Sequence, residues 1–407
     1  MSGSMRSNGS LHGMNEVPEV LMKLPKALAL SLLMSWLALT AQAARAYAGP
    51  TLLFEAASGR ILYAEDQDDQ WHPASLTKIM TAYVTFQALK SGKVTLETQL
   101  PYSEAAHAQP PSKIGLPVGA TITVDLALQA VIVKSANDIA VALAEGIGGS
   151  EAQFVDLMNA TARRLGMTRT AFRNPHGLPA SEQVTTARDL ARLATAVTRD
   201  FPEYAHYWAQ TQFQIANVKI VSHNGLFKTM EGTDGMKTGF ICDSGYNMVA
   251  SATRDGVRLM AVVLGEMSAA DRNLRAQQLV EHGYLTLGWK TLFGARETVS
   301  SLAVPANAKD AASIRTSVVA TECNNRRMAR ATTVARKRAA ARNKAVAAAR
   351  KAGEKPGAAA APQTAASKAT PPKAAAGGPA SPPAPAPKVV APQKAAAQPA
   401  APTGSAR

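Results

Sequence analysis

The segments of strand character in this chain lie at opposite ends of it, and that separation limits the folds open to it. Thr51-Leu52-Leu53-Phe54 and Arg60-Ile61-Leu62-Tyr63 flank the turn residues Ala57-Ser58-Gly59, which predicts a hairpin. Gly235 to Phe240, Tyr246 to Ala252 and Arg258 to Leu264 predict three more strands, the last two joined through Arg254-Asp255-Gly256. Between the two groups apolar residues return at helical spacing: after Ser75, across Val124 to Val133, Ile139 to Ile147 and Glu151 to Leu165, and beyond Thr186. Gly148-Gly149 and Gly166 act as stops, Thr186-Ala187-Arg188-Asp189 resembles a capping box, and Arg272 to Leu287 supplies a closing helix. The expectation is an α+β domain whose sheet is assembled from N- and C-terminal pieces, with the first hairpin pairing late in folding.

By composition neither end belongs to that domain. Met22-Lys23-Leu24-Pro25-Lys26, the apolar run Ala27 to Leu39, and Ala41-Gln42-Ala43 with Ala44-Arg45-Ala46 follow the order of an export signal: basic flank, apolar core, small-residue cleavage site. The run is too short to span a bilayer, and cleavage is expected after Ala43, Ala46 or Ala48. Residues 1–48 are therefore read as leader and signal peptide, 49–299 as the domain and 300–407 as a basic low-complexity tail. The formal net charge of +15 belongs to that tail, because residues 311–407 hold 17 Lys/Arg against 2 Asp/Glu. The neutral body argues against a nucleic-acid partner and leaves attraction to anionic wall or membrane polymers to the tail. Beyond Gly353 the tail is Ala, Pro and Lys with too few large apolar residues to bury a core, so it is expected to stay disordered. Only Cys242 and Cys323 are present, too few for a disulfide framework, so the domain should owe its stability to its core.

Chemistry enters at His72-Pro73-Ala74-Ser75-Leu76-Thr77-Lys78. A serine opening a helix ordinarily caps it, but residues three apart share a helix face, so the Ser75 hydroxyl can meet the Lys78 amine. The hydroxyl is a weak nucleophile, and a lysine desolvated beside another cation can stay neutral and take its proton. Alone, one Ser-x-x-Lys proves nothing. Two further polar clusters follow, Ser135-Ala136-Asn137 after a helical run and Lys237-Thr238-Gly239 in a strand. The three together form the signature of serine β-lactamases and penicillin-binding proteins. The flanks Pro73-Ala74-Ser75-Leu76-Thr77-Lys78 and Thr233-Asp234-Gly235-Met236-Lys237-Thr238-Gly239-Phe240 resemble the D-alanyl-D-alanine carboxypeptidases among the low-molecular-weight penicillin-binding proteins, over roughly Gly49 to Trp289. The resemblance implies a β-lactamase/penicillin-binding-protein-like transpeptidase fold, an antiparallel sheet with flanking helices and a helical subdomain.

It also implies roles. An acyl-D-Ala-D-Ala peptide offers a carbonyl to attack, a terminal carboxylate to hold and a leaving amine that needs a proton. Ser75 attacks, Lys78 takes its proton, Ser135 relays a proton to the leaving amine, and Asn137 orients Lys78 and the substrate amide. Lys237 and Thr238 bind the carboxylate, Gly239 lets the substrate backbone lie close, and the N–H groups of Ser75 and Phe240 form the oxyanion hole. The family often has Asp where this chain has Ala136, and catalysis is expected to survive because the flanking residues carry the contacts. His176, in the turn-rich stretch Asn174 to Pro179, is read as structural, and Glu182 lacks the neighbours of a β-lactamase deacylating base, so fast β-lactam hydrolysis is not expected. Neither a β-rich second domain nor an amphipathic C-terminal helix is visible, so the family's membrane anchoring is not expected here. The histidines lack ligand-like spacing and no nucleotide site is visible, so neither metal nor cofactor is expected. The reading is an exported serine D-Ala-D-Ala carboxypeptidase of the periplasm or cell envelope, acting on peptidoglycan stem peptides and acylated by β-lactams. A D-alanyl-D-alanine endopeptidase on crosslinks is the nearest alternative, and a non-catalytic wall-binding protein a second.

Overall fold

The computed structural model describes residues 49–293 and 297–314; the expected leader and the expected tail from residue 315 onward lie outside the described residues. Strands β1 (Thr51–Glu55) and β2 (Ile61–Glu65) form the first hairpin, and a 3-10 turn, Ala74–Leu76, leads into helix α1 (Thr77–Lys90). A small pair, β3 (Gln99–Pro101) with β4 (Thr121–Thr123), encloses α2 (Glu104–Ala108), and α3 (Val124–Gln129) runs on into a π turn, Ala130–Lys134. Helices α4 (Asn137–Gly148), α5 (Glu151–Arg164), α6 (Ala187–Asp200) and α7 (Ala205–Ala209) follow. A second small pair, β5 (Gln212–Ile215) with β6 (Val218–Val221), precedes β7 (Thr233–Ile241), β8 (Gly245–Arg254), β9 (Val257–Glu266) and the closing α8 (Ala269–Phe293).

The main sheet runs β2-β1-β9-β8-β7 with every neighbouring pair antiparallel. Thr51 lies opposite Val263 and Glu55 opposite Leu259, so the N-terminal hairpin does close on the C-terminal strands. Alternation along each strand decides which face a residue joins. Leu53, Met248, Ala250, Leu259, Ala261 and Val263 pack with Ala276 and Val280 of α8. Their neighbours Leu52, Phe54, Val249, Met260, Val262 and Leu264 face the helical side. Through that side runs α1, buried from Thr77 to Phe86 without an exposed stripe. A helix buried all round must satisfy its polar side chains internally. The Thr81 hydroxyl donates to the Pro175 carbonyl at 2.6 Å and that of Thr85 to the Thr81 carbonyl at 2.8 Å.

Helix α6 is capped as expected, with Thr186 Oγ1 accepting from Asp189 N–H at 3.0 Å. Asp189 does not complete the box. Its carboxylate accepts from Arg169 N–H, Thr170 Oγ1 and Arg192, which ties the preceding loop to α6. Two expectations need larger correction. Order does not end near Ser300: residues 297–314 form a strap across the domain. Ile61 N–H donates to the Glu297 carbonyl, Arg188 donates to the carbonyls of Leu302 and Ala303 while pairing with buried Asp68, and Lys309 and Asp310 meet Asp69 and Arg169. At its end Ile314 is buried and its N–H donates to the Asp243 carbonyl. Backbone groups hold most of this strap, and every residue type carries those, so composition did not reveal it. Secondly, Cys242 is disulfide-bonded and no described cysteine is free, so the core is not the sole source of constraint. Cys323, the only other cysteine of the chain, lies outside the described residues. Among the described residues no helix is long and apolar enough to cross a membrane.

Candidate active site

Ser75 stands inside the 3-10 turn, and no side-chain hydrogen bond caps either this turn or α1, so its hydroxyl is not spent on capping. Lys78 lies in the first turn of α1, completely buried. Its Nζ is 3.2 Å from Ser75 Oγ, 2.8 Å from Asn137 Oδ1 and 2.5 Å from the His176 carbonyl. Burial first, and then the charge of Lys237, hold Lys78 well below its ordinary value against an upward pull from Asp138. A neutral amine has two N–H bonds and one lone pair. With the Asn137 and His176 oxygens taking the two hydrogens, the lone pair is left for the Ser75 hydroxyl proton.

The second cluster is placed by a break in the helical run. The π turn ends on Ser135 with φ at 61°, in the left-handed region, and α4 starts at Asn137. Asn137 Nδ2 donates to the Pro110 carbonyl at 2.9 Å, so one amide spans from that loop to Lys78. Fully buried Asp138 accepts from the N–H groups of Ile114 and Gly115 and from the Tyr102 hydroxyl, which holds the same loop down. The third cluster lies on β7, the edge strand beside the 3-10 turn. Lys237 Nζ donates to Ser135 Oγ at 2.9 Å and to the Thr238 carbonyl at 3.0 Å. Burial, followed by the charge of Arg272, lowers Lys237 to about 7. Gly239 permits the approach of strand to turn, since a Cβ there would stand 3.0 Å from the Pro73 carbonyl oxygen and 3.1 Å from Ser75 N. Ser75, Ser135, Asn137, Thr238, Gly239 and Phe240 line one groove of about 930 Å³. Lys78 and Lys237 are buried behind it, in contact with Ser75 and Ser135. The structure thus brings all eight of the sequence-predicted residues together.

The profile of the D-alanyl-D-alanine carboxypeptidase family matches residues 38–268, a span that holds all three clusters. The chain belongs to the D-alanyl-D-alanine carboxypeptidase family. It is 38% identical over 240 residues to the D-alanyl-D-alanine carboxypeptidase DacC of Escherichia coli, covering 57% of this chain and 60% of that protein. With DacA of Haemophilus influenzae it shares 37% over 253 residues, 60% of this chain and 64% of that one. The chain therefore spans less than two thirds of the length of these curated relatives. Among solved structures, penicillin binding protein 5 from Haemophilus influenzae is similar at a TM-score of 0.57 and 37% identity, over 58% of this chain and 71% of that one. Penicillin-binding protein D2 of Listeria monocytogenes in its ampicillin-bound form is similar at a TM-score of 0.51 and 28% identity, over 58% of this chain and 97% of that one. The penicillin-binding-protein-like fold, an antiparallel sheet with flanking helices, is thereby shown.

For this carboxypeptidase-family chain, sequence reasoning missed several groups at the groove. His176 contributes its backbone carbonyl, a group no side-chain motif announces. The following Gly177, at φ +85°, packs so closely on the turn that a Cβ would meet the Ala74 carbonyl oxygen at 1.9 Å. The His176 ring itself turns away, accepting from Leu178 N–H, and is held down to about 3 by burial and then by Lys78. Arg272, read only as part of a closing helix, is 5% exposed and lines the groove, with burial lowering it to about 10. Lys134 and His223 also line it. Glu182 is exposed and paired with Arg173, outside the groove. A second cleft, of about 790 Å³, carries none of the three clusters, and its Arg192, Arg199 and Arg258 are already paired with Asp189, Asp200 and Asp234.

Proposed function

We propose that this chain is a serine-type D-Ala-D-Ala carboxypeptidase that removes the terminal D-alanine from peptidoglycan stem peptides through an acyl-enzyme on Ser75, the residue that penicillins acylate. The observation that carries the reading is the buried Lys78 Nζ, 3.2 Å from Ser75 Oγ and oriented by Asn137 and the His176 carbonyl. Ser75 Oγ attacks the carbonyl of the penultimate D-alanine while its proton passes to Lys78. The N–H groups of Ser75 and Phe240 receive the oxyanion. As the C–N bond breaks, the proton returns from Lys78 through Ser135 to the departing amine. Water then attacks the ester and gives a proton to Lys78, which passes it to Ser75 Oγ as the acyl C–O bond breaks, so that the serine hydroxyl and the neutral amine are both restored. Lys237 and Thr238 hold the terminal carboxylate, and Arg272 adds a second buried cation near it.

Residues 1–48 act as leader and signal, so the mature enzyme works in the periplasm or cell envelope, with residues 49–314 as the catalytic unit. The basic tail contacts anionic wall or membrane polymers by charge. Family membership and an ampicillin-bound structural relative support the reading. Penicillin treatment followed by intact-mass measurement and peptide mapping tests it. One adduct should appear on the peptide containing Ser75, and Ser75→Ala should lose both the adduct and D-alanine release from an acyl-D-Ala-D-Ala peptide. A label that persists in Ser75→Ala removes the central assignment. Cleavage of crosslinked muropeptides in preference to monomeric ones would favour the endopeptidase alternative.

A further inference from the structure

The turn that carries Ser75 is bound to the sheet by a side chain that belongs to none of the three clusters. Ala74, the residue before Ser75, has φ at 49°, in the left-handed region that a residue with a Cβ seldom enters. Backbone in that region keeps its conformation only where its surroundings over-determine it. The two residues before Ala74 are held by Asn247 of β8, whose Nδ2 donates to the His72 carbonyl at 3.0 Å and to the Pro73 carbonyl at 3.3 Å. Its Oδ1 accepts from the Gly265 N–H of β9 at 3.0 Å. The pairing of β8 with β9 shifts register between Tyr246 and Met248, so the irregularity falls on Asn247, and its side chain supplies Gly265 with an acceptor there. Asparagine is disfavoured in strands, and a fully buried one needs its polar atoms satisfied. A local preference broken in this way is expected where a site requires it. On the other side of β8, Asn247 lies opposite Gly239 of β7. A Cβ on Gly239 would stand 3.0 Å from the same Pro73 carbonyl oxygen and 3.1 Å from Ser75 N. The Pro73 carbonyl is thus drawn to one strand by Asn247 and admitted by the next at Gly239. Resting on the carboxypeptidase reading, we propose that Asn247 is a positioning residue for acyl transfer: by tying the His72 and Pro73 carbonyls to β8, it sets the Ser75 N–H and hydroxyl against the Phe240 N–H, so that the oxyanion hole is formed before substrate arrives. Donors fixed in advance need no reorganisation as charge develops on the attacked carbonyl. Asn247 does not line the groove, and Lys78 Nζ is held by Ser75, Asn137 and the His176 carbonyl. Its effect therefore falls on the acylation step, and neither on first binding nor on the proton equilibrium of Lys78.

The test follows penicillin acylation of the full chain by rapid mixing, which separates the dissociation constant of the first complex from the acylation rate constant. Asn247→Ala removes all three contacts, and Asn247→Leu removes them while filling the volume. Both should lower the acylation rate constant roughly tenfold or more, with the dissociation constant held within about twofold. The acidic limb of the pH profile should stay in place. A peptide boronic acid, whose tetrahedral adduct on Ser75 puts an oxygen in the oxyanion hole, should bind more weakly by a similar factor. A role confined to stability would shrink the labelled fraction and leave the rate constant of the folded fraction unchanged, which overturns the proposal. A loss confined to the dissociation constant, a shifted acidic limb, or failure of both variants to fold overturns it too, while label at Ser75 and D-alanine release by the unsubstituted chain stand. No label at Ser75 in the unsubstituted chain overturns the carboxypeptidase reading and the proposal together.

Discussion

Lys78 and Lys237 share one buried neighbourhood, and the charge of Lys237 is among the causes that lower Lys78. Interacting groups titrate as a pair, so the pH dependence of acylation belongs to both. Below about 7 Lys237 is charged in the free protein and helps keep Lys78 neutral. Lys237→Gln removes that help and raises the Lys78 value, so more Lys78 is protonated at a given acidic pH. The acidic limb of the penicillin acylation rate should therefore move to higher pH, measurable by rapid-mixing kinetics; a limb that stays in place contradicts the coupling. Asn137→Ala removes the acceptor 2.8 Å from Lys78 and the donor to the Pro110 carbonyl. Leaving a buried polar group unpaired costs about 1–3 kcal/mol, so acylation should slow roughly tenfold or more while the protein still melts cooperatively. The side chains of both predictions were legible in the sequence as motif members. Their partners were not: the His176 carbonyl is backbone, and Arg272 is one of many arginines until folding buries it.

At the scale of elements, the strand runs and helical spacings in the sequence located the sheet, α1, α4, α5, α6 and α8 closely, because alternation and helical spacing are local properties. The small pairs β3–β4 and β5–β6 escaped because strands of three or four residues leave too short a pattern to read. The contact of β7 with the 3-10 turn gives one test. In Gly239→Ala the new Cβ would press on the Pro73 carbonyl and Ser75 N, which are backbone atoms with little room to yield. Acylation should fall by far more than thermal stability does, and unchanged acylation would show that the approach is not needed. The strap gives another. Arg188→Ala removes the cationic partner of buried Asp68 and the donor to the Leu302 and Ala303 carbonyls. Breaking a buried pair costs about 3–5 kcal/mol, so the melting temperature should drop by many degrees. A loss below about 1 kcal/mol in denaturant unfolding would mean that the strap contributes little.

For the whole molecule, the basic charge and the candidate active site lie on different parts of the chain. Residues 324–407 hold 16 Lys/Arg against one acidic residue, and deleting them leaves both cysteines in place. That deletion should leave turnover of a small soluble peptide unchanged and reduce sedimentation with isolated sacculi or anionic vesicles. Added salt should reproduce the deletion, because exposed charges are screened over about 8 Å at physiological ionic strength. Equal sedimentation of both forms at low salt would leave the tail as a spacer. By itself the sequence determined the α+β class, the three motif clusters of the candidate site and the segregation of basic charge, since each is written in residue type at short spacing. Tertiary structure alone decided what surrounds those clusters: the burial that lowers Lys78, the Asn137 amide and His176 carbonyl that orient it, the cations at the groove end, the strap and the disulfide bond at Cys242. Such contacts join residues far apart in the chain, often through backbone groups, and a group's desolvation depends on everything packed around it, which no local pattern encodes.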